Sequence, residues 1–232
     1  MRKNHRALNC ESLESRELMA GNVQVSVVNN EVVVRGDSQA NQIRVAQLNN
    51  GAYRVFGLNG TKVNGQSSVD RTSIDRDLRI FMGSGDDTVL LGDFAYLGGN
   101  MLTGTLTTCE DLEIDMGAGA DALHLGNVKT IDNQFTSIKM GGLENDNDFL
   151  KVGFSTFKTG LKLEMGGGKD QAQIFNSKIN GKLDVNLGSG DDSIQLVDTI
   201  FSTSSINGGS GTDSYKRTRG TATNPVSFEK FL

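Results

Sequence analysis

From Val23 onward apolar residues alternate with polar ones. Val23, Val25 and Val27 are separated by Gln and Ser, and Glu31-Val32-Val33-Val34, Ile43-Arg44-Val45 and Tyr53-Arg54-Val55-Phe56 follow after Asn-rich or Gly-rich breaks. This period of two, with short runs and turn residues between them, predicts half-buried strands. Val28-Asn29-Asn30 before Glu31 marks a turn between two of them. Beyond Val23 no stretch of ten residues carries an apolar stripe at helical spacing, so the chain is expected to be all-β.

A second periodicity lies over the first. Six segments share the form apolar, x, apolar, Gly, x, Gly, x, Asp, x, apolar, with varying fidelity. They run Ile80 to Val89, Ile114 to Leu123, Ile138 to Leu150, Leu163 to Ala172, Val185 to Ile194 and Ile206 to Tyr215. In the third, Gly141 to Asp148 spans seven residues instead of four, an insertion of three residues into one turn. The repeated Asp residues are Asp87, Asp121, Asp148, Asp170, Asp192 and Asp213, separated by 34, 27, 22, 22 and 21 residues.

A unit of 22 residues holds three short strands and their corners. Between the Gly corners stand further apolar anchors, Val152, Phe157 and Leu161, then Ile174, Ile179 and Leu183, placed to face the interior of each turn. One such turn cannot bury its own apolar side, so turns must stack. The expected fold is a right-handed parallel β-helix (β-solenoid) of about six to eight turns, the hand following from the preference for right-handed parallel crossovers. Residues 1–21 read as a leader or targeting segment, 22–75 as a strand-rich N-terminal cap and first turns, 76–215 as the β-helix, and 216–232 as a C-terminal cap. Within the N-terminal part, Gly36 to Ile43 reads as a degenerate repeat with Asn41 in the Asp position.

Composition fits this picture. Of 232 residues 29 are Gly and 1 is Pro. Gly serves corners that need positive φ. Pro, which removes a ladder N–H, occurs only as Pro225 beyond the last repeat. A formal net charge of -5 argues against nucleic acid, whose phosphates call for a basic protein face, and Lys216, Arg217 and Arg219 read as a solvated terminal cluster. No run is long and apolar enough to predict a transmembrane span. Two cysteines, Cys10 and Cys109, define no disulfide framework.

Residues Leu13-Glu14-Ser15-Arg16-Glu17-Leu18-Met19-Ala20, after the basic start Arg2, Lys3 and Arg6, resemble the N-terminal leader of planctomycete extracellular and surface proteins, with Ser15 where the leader usually has Pro. The resemblance implies a secreted or cell-surface protein whose partners are components of the cell envelope or extracellular matrix, protein or polysaccharide.

The corners resemble the calcium-binding nonapeptide of repeats-in-toxin (RTX) proteins, Gly-Gly-x-Gly-x-Asp-x-apolar-x, which Gly208 to Lys216 matches with Tyr215 as the apolar residue. That resemblance implies Ca²⁺ as cofactor, with Asp87, Asp121, Asp148, Asp170, Asp192 and Asp213 as metal ligands. Electrostatics points the same way. Carboxylates stacked about 5 Å apart repel by roughly 0.8 kcal/mol per neighbour even in water, a cost that an intervening cation removes. The alternative for the same residues is an Asx-type turn, each Asp bonding the backbone N–H groups of its own corner. In this chain the motif occurs once per 21 to 34 residues, more sparsely than in that family.

Catalysis needs a unique constellation, and the paired carboxylates Asp86-Asp87 and Asp191-Asp192 lie in the repeat, which already accounts for them. His5 and His124 make no triad, His124 reading as a strand residue, and Arg35-Gly36-Asp37 reads as a turn. The sequence therefore points to a non-enzymatic structural or interaction protein of the adhesin-like kind. The alternative is a polysaccharide lyase, glycosidase or glycan-binding module that uses one face of the β-helix.

Overall fold

A computed structural model describes residues 21–72, 76–92, 107–131, 134–142, 145–221 and 225–232. The described residues form 21 strands and no helix. At the N-terminal end lie β1 (Asn22–Val28), β2 (Glu31–Arg35), β3 (Gln42–Gln47), β4 (Tyr53–Gly57), β5 (Lys62–Val63) and β6 (Ser68–Arg71). The coil proper follows with β7 (Leu78–Phe81), β8 (Thr88–Gly92), β9 (Thr107–Cys109), β10 (Leu112–Asp115), β11 (Ala122–Gly126), β12 (Lys129–Thr130) and β13 (Thr136–Lys139). It continues through β14 (Phe149–Gly153), β15 (Thr156–Phe157), β16 (Gly160–Glu164), β17 (Gln171–Phe175), β18 (Lys178–Asn186), β19 (Ser193–Asn207), β20 (Ser214–Gly220) and β21 (Lys230–Phe231).

The topology is that of a parallel β-helix. On one face β2, β7, β10, β13, β16, β18 and the end of β19 pair in parallel, in that order. On a second face the order is β3, β8, β11, β14, β17, the start of β19, and β20. The short strands β9, β12 and β15 and the beginning of β18 make a third. The N-terminal end is closed differently. β1 and β2 form an antiparallel hairpin through Asn29 and Asn30, both at positive φ (50° and 67°), the pairing a two-residue turn of this kind produces. β4 and β6 extend the second face as antiparallel strands. At the other end β20 runs on to Gly220, into the segment expected to be cap alone.

Parallel pairing stacks like on like. Ile80, Ile114, Ile138, Leu163, Val185 and Ile206 form one inward column, and all are 2% exposed or less. The anchors Val152, Phe157, Leu161, Ile174, Ile179 and Leu183 are likewise buried, at 1% or less, as their spacing predicts. Each Leu or Ile so buried contributes about 1.5–3 kcal/mol, and only because the turns above and below cover it.

Two kinds of corner separate the faces. One is the Gly-x-Gly corner of the repeat. The other places a residue at positive φ after the second face: Asn127 at 56°, Phe154 at 52°, Asn176 at 47° and Asp198 at 47°. Asn and Asp tolerate that region, whereas an aromatic residue there is strained. Phe154 packs edge-on against Phe175, centroids 5.5 Å apart, and is 41% exposed. Replacing Phe154 with Asn, the residue stacked on either side of it, is expected to relieve the strain and stabilise the fold by about 1 kcal/mol, read as a higher urea midpoint at unchanged slope.

Candidate functional site

The six repeated Asp residues form a single buried column, each 2% exposed or less. Their side chains do not bond their own corners, as an Asx-type turn requires. Instead each Oδ1 accepts the backbone N–H of the equivalent residue one turn earlier. Asp87 N–H donates to Asp121 at 2.8 Å, Asp121 to Asp148 at 2.8 Å and Asp148 to Asp170 at 2.9 Å. Asp170 donates to Asp192 at 2.8 Å and Asp192 to Asp213 at 2.9 Å. The reason is geometric: with turns stacked at about 4.8 Å, a short carboxylate beside an unpaired corner N–H of the preceding turn satisfies it, as no strand partner can.

The ends of the column are also built. Asn41 N–H donates to Asp87 Oδ1 at 2.6 Å, so the degenerate repeat takes the first position. At the far end Asp213 N–H donates to Glu229 Oε2 at 2.7 Å. Glu229 lies outside any Gly-Asp corner, so the repeat pattern does not reveal it. The inserted residues of the third corner leave Asp148 in register, and Asp146 Oδ2 accepts Gly119 N–H at 3.1 Å.

Each Asp has a second oxygen. Oδ2 of Asp87, Asp121, Asp148, Asp170, Asp192 and Asp213 is buried without a hydrogen-bond partner. Burial pushes the carboxyl pKa up to about 7 for Asp87, about 8 for Asp121, about 7 for Asp148 and Asp170 and about 6 for Asp192, and raises that of Asp213. Neighbouring carboxylates push in the same direction, while the donated N–H groups oppose it.

These oxygens are of the hard type that Ca²⁺ prefers, but six to eight are needed per ion. One carboxylate oxygen per turn is free. The carbonyl of the first Gly of a corner is already engaged, for example Gly166 O by Ser189 N–H at 3.0 Å and Gly188 O by Ser210 N–H at 2.9 Å. Among the described residues no three His, Cys, Asp or Glu side chains converge as a metal-binding group. Each turn by itself therefore offers one free carboxylate oxygen of the six to eight that such an ion requires.

A second ladder escaped the sequence reading. At the positive-φ corner Ser155 Oγ accepts Val128 N–H and Ser177 Oγ accepts Ser155 N–H, both at 3.1 Å, and Thr199 Oγ1 donates to Ile174 O of the preceding turn at 3.0 Å. The signal was present as Ser155, Ser177 and Thr199 at intervals of 22 residues. Other candidates fall into place as local structure. Asp37 of Arg35-Gly36-Asp37 accepts Asn22 and Gln39 N–H at 2.8 and 2.9 Å and so builds a corner. His124 stands on the second face against Phe149, centroids 5.4 Å apart, where burial and Lys151 lower its pKa. Lys216, Arg217 and Arg219 are exposed on β20, and Cys109 is a buried free thiol. The leader residues, Cys10 and His5 lie outside the described residues.

Fold and column together define the class, a parallel β-helix with an internal Asp ladder. No protein-family model, curated protein or solved structure matches the chain.

Proposed function

We propose that this chain is an exported structural or interaction β-helix of the cell surface, a rigid scaffold without turnover of its own. The observation that carries the reading is the fate of the repeated carboxylates. Acidic groups that catalyse must reach a substrate, whereas these are enclosed and each holds the backbone of an adjacent turn. The leader resemblance supplies the location, and the partners are envelope or matrix components.

The experiment has two arms. In the source cells, full-length protein is expected in envelope or culture-medium fractions, and deletion of residues 1–21 is expected to retain it in the cytosol; cytosolic full-length protein would overturn export. Purified protein incubated with polygalacturonate or a sulfated polysaccharide is expected to release no unsaturated or reducing-end product. Release abolished by substituting a non-repeated Asp, Lys or Arg would establish the enzyme instead. The unpartnered Oδ2 atoms favour one addition, Ca²⁺ as the ion that neutralises the ladder outside the cell.

A further inference from the structure

The two long faces of the coil carry opposite surface chemistry. The face containing β7 is laced with ion pairs: Arg79 with Glu31 at 2.9 Å and with Glu113 at 3.2 Å, Lys162 with Glu164 at 2.6 Å, and Lys182 with Asp184 at 3.0 Å. On the face containing β8 the parallel strands β3, β8, β11, β14, β17, the first five residues of β19, and β20 hold no acidic residue, although the whole chain has 28 acidic residues against 23 basic ones; the antiparallel extension of that face carries Asp70, paired with Arg54 at 2.5 Å.

Register turns this into a row. Arg44, Leu90, His124, Lys151, Gln173, Gln195 and Lys216 stand opposite one another on successive strands. At about 4.8 Å per strand, Arg44, Lys151 and Lys216 recur every third strand, about 14 Å apart. Among the described residues Lys151 and Lys216 have no acidic partner. Beside the row lies an open cleft of about 270 Å³ lined by Lys151, Gln173, Phe175, Asn176, Gln195 and Val197. The Phe175 ring lies over Gly153, where a Cβ would come within 2.2 Å of it, and Lys151 Nζ stands 5.3 Å from the ring centroid.

We propose that the acid-free parallel strands of this face bind a linear anionic polysaccharide lying along the coil axis. The inference rests on the reading of the chain as a surface interaction protein and names its partner. Apart from β20 beyond Tyr215, the strands concerned are paired on both sides, so little backbone edge is offered to a peptide, and recognition falls to side chains repeating at the strand spacing. A pyranose unit has nearly the length of that spacing, so successive sugars meet successive side chains. The Gln173 and Gln195 amides suit hydroxyls, the Phe175 ring suits the apolar face of a sugar, and the lysines suit carboxylates. A nucleic acid duplex, with a charge every ~1.7 Å of its axis, is poorly matched to cations about 14 Å apart.

The probe is polygalacturonate, titrated calorimetrically into the full chain in chelator, with neutral dextran and oligo-dT in parallel. Binding to polygalacturonate alone is expected, and the Lys151→Gln/Lys216→Gln double variant is expected to weaken it about tenfold. Lys162→Gln/Lys182→Gln, on the opposite face, is expected to leave it unchanged. Absence of binding, equal loss in both double variants, or equal affinity for oligo-dT would overturn the proposal. The same samples are assayed for cleaved product. Cleavage would strike the non-enzymatic reading, whereas failure to bind leaves that reading and the fractionation result standing.

Discussion

In chelator, the melting temperature is expected to fall by about 10 °C or more as pH is raised from about 5.5 to about 8.5. The ladder carboxyls have folded pKa values raised to about 6 to 8, above the ordinary unfolded value near 3.9. Their contribution to stability is therefore fully present below the unfolded value and is lost as pH rises through the folded one. Each titrating group adds up to about 1.4 kcal/mol per pH unit to that loss, and the column holds several.

Asp121→Asn tests the cause. It keeps an acceptor for Asp87 N–H and removes the charge; Asn41 is the uncharged residue that already stands at the head of the column, where its own N–H donates to Asp87. The variant is expected to melt higher than the parent at about pH 8.5 and to show a shallower pH dependence. Asp121→Ala is expected to be weaker at every pH, because a buried N–H loses its acceptor at a cost of about 1–3 kcal/mol. Millimolar Ca²⁺ at alkaline pH separates the two ways of neutralising the column. A rise in melting temperature that Asp192→Ala abolishes supports bridging calcium; a melt unchanged by calcium overturns that part of the proposed function and leaves the proton.

Gly166→Ala is expected to be among the most damaging small substitutions in the coil. A Cβ at Gly166 would lie 1.5 Å from Gly141 O, and the residue sits at φ +109°. Both objections are backbone matters, so no side chain can move aside. The turn must separate from its neighbour, breaking the inter-turn bonds at that corner and exposing the inward columns beside it. A loss above about 4 kcal/mol, or failure to fold, is expected, measured by urea unfolding followed in the far ultraviolet. Gly51→Ala is the control. Gly51 also has positive φ, at +85°, but a Cβ there meets nothing within 4 Å, so only about 1 kcal/mol is expected to be lost. Equal losses would show that conformational strain, and not close stacking of turns, places Gly in the corners.

The all-β class, the coil and its interior were legible in the sequence because each follows from residues near one another along the chain. Alternation predicts strands such as β1 and β3, Asn29-Asn30 predicts their hairpin neighbour, and the Gly-x-Gly-x-Asp period places Met82, Met116, Met140 and Met165 inside, each 0% exposed. Even the insertion before Asp148 and the substitute Asn41 could be read as departures from one pattern.

What the Asp side chains bond could not be read in this way. The motif brings Asp170 and Asp192 to the same corner of successive turns, but whether a carboxylate turns to its own corner or to the one before depends on which N–H is left open once the turns have stacked. The same holds for Glu229, which closes the column from a segment without the motif, and for the acid-free strands of one face, whose row is assembled from residues more than 20 apart in the chain. By itself the sequence determined a coil with aligned Asp corners, since period and pattern are local properties. Only the tertiary structure decided that those carboxylates are enclosed between turns and that the parallel strands of one outer face lack acid, because burial and facial charge belong to neighbours that stacking alone brings together.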